Sequence, residues 1–210
     1  MPRPASRVRT PQQARSRRTR QRILEAAVHC FASAGFEGAT TAAIAERARI
    51  AVGTLYAYFH DKRDILLELA DDLLERVSQQ VEAGLERALE PGADLRESLR
   101  RLIDQLFHLE IFEPETHRIL WARYFTDPDF HERMVASREH TRGVVEAVIR
   151  ELGVRGALRP LDPVAASRVI VNAVQWNANL AFMEGGPEQR DAAAAAVADL
   201  IDHYLFPDPS

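Results

Sequence analysis

Apolar residues recur at helical spacing over most of this chain, and no segment shows the strict two-residue alternation of a half-buried strand. Proline and glycine interrupt the helical pattern, most clearly at 91–92, 127–128 and 185–187. The pattern predicts helices over residues 61–90, 94–111, 114–125, 128–152, 162–184 and 187–205. We therefore predict an all-α fold without an internal repeat.

Residues 36–69 carry a more specific pattern. Thr40 or Thr41 is placed to cap a short helix, and the apolar residues that follow share one face. Residues 49–51 form a turn, and a second helix is predicted from Val52 to Phe59. Two helices joined by a turn of this length are typical of the helix-turn-helix, whose second helix enters the major groove of DNA.

The second helix presents small, hydroxyl and aromatic side chains. Leu55 and Phe59 are spaced to face the core. The remaining residues that we predict to be more exposed are Val52, Gly53, Thr54, Tyr56 and Tyr58. Glycine inside a helix costs about 1 kcal/mol relative to alanine. The exposed glycine therefore favours a close approach of the backbone to DNA.

The next helix begins with acidic caps and the only lysine of the chain. Asp61 is a suitable N-cap, and Asp64 can reach back as in a capping box. Lys62 lies in the first turn, where the helix dipole disfavours a cation. An external phosphate would relieve that conflict.

Charge is distributed unevenly along the chain. Residues 1–63 carry a net charge of about +8 within a total of −4, so the remainder carries about −12. A basic head on an acidic body is typical of a nucleic-acid binder with a second task. Residues 1–16 are predicted to be a basic disordered arm, and Arg17, Arg18 and Arg20 are predicted to contact phosphates.

Residues 17–69 resemble the DNA-binding domain of the TetR/AcrR family of transcriptional repressors, most specifically in the segment GTLYAYFHDK, Gly53–Lys62. The other matching residues are Arg20, Ile23, Leu24, Ala26, Ala27, Phe31, Gly35, Thr41, Ile44, Ala45, Ala48 and Leu66. The chain departs from the family at Arg49, where glycine is usual, and at Ala51, where serine is usual.

The resemblance implies a three-helix DNA-binding domain over residues 17–63, followed by a helical effector-binding and dimerisation domain over residues 64–210. Thr41, Tyr56 and Lys62 are expected to hold phosphates, with Arg49 as a further candidate. Val52, Thr54 and Tyr58 are expected near the bases, Val52 and Thr54 against thymine methyl groups. Gly53 is expected to allow close approach of the helix backbone to DNA, and His60 is expected at the rim of the DNA interface.

Aromatic residues cluster in the second domain and predict an effector pocket with few polar groups. The predicted lining consists of Phe107, Phe112, Trp121, Tyr124, Phe125, Asn172, Gln175, Trp176 and Asn179. Each aromatic could instead belong to the core, and the Asn and Gln residues could instead hydrogen-bond across a dimer interface. Hydrophobic drugs, fatty acyl thioesters and aromatic metabolites all fit such a lining.

The last two predicted helices indicate a homodimer. One is apolar over most of its circumference, and the other carries five consecutive alanines, residues 192–196, which allow close helix approach. Family members pair through a four-helix bundle made from two such helices per subunit, and a two-fold dimer matches a palindromic operator.

Other classes of protein are less well supported by the sequence. We find no nucleophile–base pair, no phosphate-binding glycine loop and no metal-ligand spacing, so we expect neither an enzyme nor a cofactor. The single cysteine excludes an internal disulfide, and the absence of a long apolar run or secretory leader favours a cytoplasmic protein without a membrane segment. An activator, a regulator controlled by a protein partner, and a helical carrier or enzyme remain alternatives.

Overall fold

The computed structural model describes residues 11–109 and 114–207, with side chains described from residue 14 onward. All regular secondary structure in these ranges is helical, which confirms the predicted fold class. The helices are α1 (Pro11–Gly38), α2 (Thr41–Arg47), α3 (Val52–Tyr56), α4 (Lys62–Leu89), α5 (Leu95–Phe107), α6 (Pro114–Thr126), α7 (Pro128–Val154), α8 (Pro163–Glu184) and α9 (Pro187–Leu205).

The chain divides into two compact units, and the division falls inside α4 between Leu69 and Ala70. We predicted this boundary six residues earlier, between residues 63 and 64. The first turns of α4 belong to the first unit because Ile65, Leu66 and Leu69 are buried in its core. One continuous helix thus contributes residues to both units.

The core of the first unit is built from the inward faces of its helices. Side chains buried there include Ile23, Leu24, Ala27, Phe31, Ile44, Ala45, Leu55 and Phe59. Helix α1 begins at Pro11, so residues 11–16 are helical rather than part of a disordered arm. Proline suits the first position of a helix, and the Gln, Ala and Arg residues that follow favour helix. Arg3, Arg7 and Arg9 of the predicted arm lie outside the described residues.

The helices of the second unit begin at strong sequence signals. Asp127 and Asp162 each cap a helix whose first residue is proline, and their carboxylates accept backbone N–H bonds of the first turn. Helix α5 ends at Phe107, four residues before the predicted end at 111. Residues of α5, α8 and α9 form one apolar cluster, and residues of α4, α5 and α7 form another.

Candidate DNA-binding surface and effector cavity

The turn between α2 and α3 places a non-glycine residue in a left-handed conformation. Arg49 has φ 54°, the only positive φ outside glycine in the described part of the chain. The N–H of Ile50 donates to the carbonyl of Ala45 at 3.0 Å, and the N–H of Arg49 donates to that of Glu46 at 2.9 Å. This is the Schellman arrangement that ends many helices, with Arg49 at the position that glycine usually occupies.

A side chain from α1 supports this turn. The guanidinium of Arg22 donates to the carbonyl of Ala48 and, at 3.2 Å, to that of Arg49. These bonds satisfy acceptors at the end of α2 and help to offset the roughly 1–2 kcal/mol that a left-handed L-residue costs. The role of Arg22 in this turn was not predicted from the sequence, because its hydrogen-bond partners lie 26 and 27 positions further along the chain.

Helix α3 presents the predicted face to solvent. Val52, Gly53, Thr54 and Tyr56 are exposed, whereas Leu55 is fully buried. The helix ends at Tyr56 rather than Phe59, because the N–H groups of residues 57 and 58 bond to carbonyls three positions back. Tyr58, in this tighter turn, is half-buried.

Gly53 is not required by packing inside the unit. A Cβ built at this position would meet no atom within 4 Å, and the backbone there is helical. Alanine would therefore fit the isolated protein and would stabilise the helix. The glycine is consistent with an external surface, such as DNA, that approaches the backbone.

Two of the predicted phosphate ligands lie together. The hydroxyls of Thr41, at the start of α2, and Tyr56, at the end of α3, are 3.0 Å apart and solvent-accessible. Thr41 is free for this pairing because Thr40 caps α2, accepting from the N–H of Ala43 at 3.1 Å. The pair forms a two-hydroxyl site on the same unit as the exposed face of α3.

Lys62 has acceptors within its own unit. Its ammonium donates to the carbonyls of Phe36 at 2.7 Å and Glu37 at 3.0 Å, in the last turn of α1, and of Ala39 at 3.2 Å, just after α1. These partners relieve the unfavourable helix-terminal charge that the sequence argument assigned to an external phosphate. Lys62 thus ties the start of α4 to the end of α1.

The caps of α4 follow the prediction with one change. The N–H groups of Arg63 and Asp64 donate to the Asp61 carboxylate, so Asp61 is the cap. The Asp64 carboxylate accepts from the backbone N–H of His60 at 2.9 Å, one residue before the cap. The His60 side chain remains exposed.

The three arginines of α1 that were predicted to contact phosphates differ in their surroundings. Arg20 forms a two-point ion pair with Glu68, and its guanidinium lies 5.1 Å from the centre of the Phe59 ring. This arrangement favours a bracing role for Arg20 over the predicted direct phosphate contact. Arg17 and Arg18 are exposed.

The second unit contains a cavity of about 200 Å³ lined by residues of α4 to α9. Aliphatic side chains dominate the lining, among them Leu73, Val77, Val81, Leu102, Val145, Val148, Ile149 and Val174. Four of the predicted residues line it: Phe107, Trp121, Gln175 and Asn179. The aliphatic wall was not predicted from the sequence. A signal for it was present, because Met134, Thr141, Val145 and Leu152 repeat at helical spacing on α7.

Four predicted lining residues lie elsewhere: Tyr124, Phe125, Asn172 and Trp176. On α8 the residues that line the cavity are those at 170, 171, 174, 175, 178, 179 and 182. Asn172 and Trp176 each follow a lining residue and are rotated about 100° from it around the helix axis. Trp176 is 51% exposed and Phe125, at the end of α6, is 70% exposed. Tyr124 stacks on His131 with ring centres 4.7 Å apart. Phe112 lies outside the described residues.

A small polar network occupies one part of the cavity wall. The Nε2 atom of His117 lies 2.7 Å from the amide oxygen of Asn179, whose Nδ2 donates to the carbonyl of Gln175 at 2.6 Å. Burial lowers the pKa of His117, against the opposing effect of its bond to Asn179, so the ring is neutral near pH 7. The Nε of Arg138 donates to the Gln175 side-chain oxygen at 2.9 Å.

Helices α8 and α9 carry an exposed apolar surface, formed by Val169, Trp176, Leu180 and Leu200. The first three recur at helical spacing on α8, away from the cavity, and Leu200 on α9 is 57% exposed. Within the described ranges, no helix is long and apolar enough to cross a membrane. No group of three or more potential metal ligands occurs in the same part of the chain.

Both units match one family of regulators. Residues 23–69 match "Bacterial regulatory proteins, tetR family", and residues 92–205 match "Tetracyclin repressor-like, C-terminal domain". The transcriptional repressor AcnR of Corynebacterium diphtheriae is 33% identical over 140 residues, a match that spans 63% of each chain and so a little under two thirds of AcnR. The transcriptional activator FasR of Mycolicibacterium smegmatis is 25% identical over 159 residues, covering 75% of this chain and 71% of FasR.

The fold has close structural counterparts. A regulator from Mesorhizobium loti assigned to the TetR family superposes with a TM-score of 0.75 at 21% identity, covering 92% of this chain and 99% of that one. At this identity the similarity establishes the fold alone. The second family match covers more than half of the chain and follows the helix-turn-helix match after residues 70–91, so the chain belongs to the TetR family of bacterial transcriptional regulators.

Proposed function

We propose that this regulator is a ligand-responsive repressor that binds a palindromic operator as a homodimer. The observation that carries the proposal is the exposed face of α3, where Val52, Gly53, Thr54 and Tyr56 face solvent above the buried Leu55. Val52 and Thr54 supply methyl groups that suit thymine, and the Thr41–Tyr56 hydroxyl pair suits a phosphate.

Dimerisation is proposed through α8 and α9. Their exposed apolar side chains are the kind of surface that a monomeric protein rarely leaves in water. A second copy covers them in a closed two-fold arrangement, and that symmetry matches an inverted repeat in DNA. A charged residue in place of Leu200 should therefore reduce both dimer formation and operator affinity, while the cavity, which Leu200 does not line, keeps its ligand affinity.

Helix α4 is the proposed transmitter between ligand and DNA. It starts in the first unit and lines the cavity of the second with residues such as Leu73, Val77 and Val81. The proposed ligand binds better to the dimer in which α4 holds the two DNA-binding units at a spacing that does not fit the operator. Such a ligand shifts the population of dimers away from the DNA-binding arrangement. A ligand with equal affinity for both arrangements shifts nothing.

The first test is selection of preferred duplexes from a random DNA pool by the purified protein. Enrichment of an inverted repeat supports a symmetric DNA-binding dimer, and the affinity for that repeat should fall steeply with salt. No enrichment for protein shown to be free of bound ligand by mass spectrometry would contradict the proposal. The enriched duplex then serves in screens for compounds that release it.

An activator is the second candidate, and the name of FasR as an activator is the observation that favours it. A reporter gene placed downstream of the enriched repeat distinguishes the two. A repressor lowers expression until the effector is added, whereas an activator raises it.

A further inference from the structure

Among the described residues, the lining of the cavity contains one permanently charged residue, Arg138 of α7, and no Asp or Glu. Its guanidinium donates from Nε to Gln175 at 2.9 Å and from Nη2 to the hydroxyl of Tyr124 at 3.4 Å, and it lies 5.5 Å from the Tyr124 ring centre. All of these partners are neutral. Arginine has five N–H donors, so this network leaves donors available for a further acceptor.

The other arginines of α7 contrast with Arg138, because each has an acidic partner. Arg133 pairs with Asp71, Arg142 pairs with both Glu139 and Glu146, and Arg150 pairs with Glu146. Within the described part of the chain, no carboxylate lies within ion-pair distance of Arg138. A half-buried cation next to an apolar cavity carries a desolvation cost that an anion in the cavity would offset.

The rest of the cavity indicates what kind of anion would fit. The walls are aliphatic, and burial keeps the nearby His117 neutral. The positive charge of Arg138 is therefore matched by a ligand with a single negative charge. A cavity of about 200 Å³ takes a ligand of modest size, since about 150 Å³ accommodates benzene. By that scale it suits roughly eight to ten non-hydrogen atoms.

We propose that the effector is a medium-length monocarboxylate, bound by its carboxylate to Arg138 and by its apolar body to the aliphatic walls. The planar guanidinium fork matches a carboxylate with two parallel hydrogen bonds, and Gln175 and Tyr124 hold the fork in place. The regulatory role of this carboxylate rests on the proposed function, whereas its binding to Arg138 does not.

The test compares octanoate with two ligands of the same chain length, neutral 1-octanol and cationic octylammonium. Binding to the whole chain is measured by calorimetry and by tryptophan fluorescence, since Trp121 lines the cavity. The variants are Arg138→Gln and, as matched control, Arg150→Gln, which removes an exposed arginine of the same helix outside the lining.

We expect octanoate to bind the wild-type protein and Arg150→Gln equally, and Arg138→Gln roughly 10- to 100-fold more weakly, as for loss of a charge-assisted hydrogen-bonded pair. The affinity for 1-octanol should be the same in all three proteins, which also shows that Arg138→Gln is folded. Val145→Phe, which fills the cavity from α7, should lose both ligands.

Equal binding of octanoate and 1-octanol by the wild-type protein would overturn the proposal, as would unchanged octanoate affinity in Arg138→Gln or in Val145→Phe. Tighter binding of octylammonium would also overturn it. Failure of the wider function gives a different result: octanoate then binds through Arg138 without releasing the selected operator. Release of the operator by a neutral compound, with no octanoate binding, would refute the carboxylate and leave ligand-responsive regulation standing.

Discussion

Replacing Lys62 with methionine tests whether this lysine holds the DNA-binding unit together or only contacts phosphate. Methionine keeps the length and the apolar stem but removes the ammonium that donates to the carbonyls of Phe36, Glu37 and Ala39 at 2.7–3.2 Å. If Lys62 were only a phosphate ligand, its loss would weaken DNA binding without affecting the fold of the free protein.

The expected loss of stability follows from those bonds. Hydrogen bonds to a charged group contribute about 1.5–3 kcal/mol, but the Lys62 side chain is 26% exposed, so water replaces part of what is removed. We therefore expect the first unit to be destabilised by about 2 kcal/mol, which is roughly a 30-fold change in its opening equilibrium.

Hydrogen exchange read by mass spectrometry is the appropriate assay, because a two-unit chain need not unfold in a single transition. Amides of residues 23–45 should exchange roughly 30-fold faster in Lys62→Met than in the wild-type protein under conditions that report opening equilibria. Arg17→Met is the matched control: it removes an exposed cation of α1 and should lower DNA affinity without changing exchange. Unchanged exchange in Lys62→Met, together with weaker DNA binding, would refute the bracing role.

Thr54→Ala should relax the preference of the protein for one base of the operator, whereas Tyr56→Phe should weaken binding to all DNA sequences alike. Selection from a random DNA pool measures the preference of each variant, and titration measures its affinity. Arg49→Gly should stabilise the first unit by about 0.5–1 kcal/mol in urea unfolding, since relief of the left-handed strain exceeds the backbone entropy cost of glycine; a loss of stability would show that the arginine itself contributes to the turn. The lowered pKa of His117 means that the unfolded chain binds a proton more readily, so its contribution reduces stability as pH falls below about 6.5. The backbone carbonyl of Asp104, and with it Asp191, raises the pKa of His108, whose stabilising contribution is present below about 6.5 and is lost as pH rises. Unfolding from pH 5 to 8 should therefore show opposite changes of slope for His117→Gln and His108→Gln.

The helix-turn-helix could be predicted from the sequence because its signals are local. The cap at Thr40 or Thr41, the spacing of Leu55 and Phe59, and the turn at Arg49 each depend on residues within a few positions. The structure bears out these features, with Thr40 as the cap and Arg49 in a left-handed conformation. The aspartate–proline starts of α7 and α8 could be predicted for the same reason.

The partners of the charged residues could not be predicted in this way. Lys62 meets carbonyls 23 to 26 positions earlier in the chain, and Arg20 meets Glu68, 48 positions later. Spacing along the chain carries no information about such pairs. The sequence therefore assigned both cations to an external phosphate, although folding places acceptors beside each of them.

The sequence by itself determined the all-helical fold, the helix-turn-helix and the family, since these rest on periodicity, caps and a contiguous motif. Only the tertiary structure decided which side chains form the cavity. A rotation of 100° per residue separates Gln175, on the wall, from the half-exposed Trp176, outside the lining, and only the packing of α8 against α5, α6, α7 and α9 selects the inward side. The same packing places Arg138 against an apolar cavity, where no carboxylate of the described residues pairs with it, because helices distant in sequence surround it.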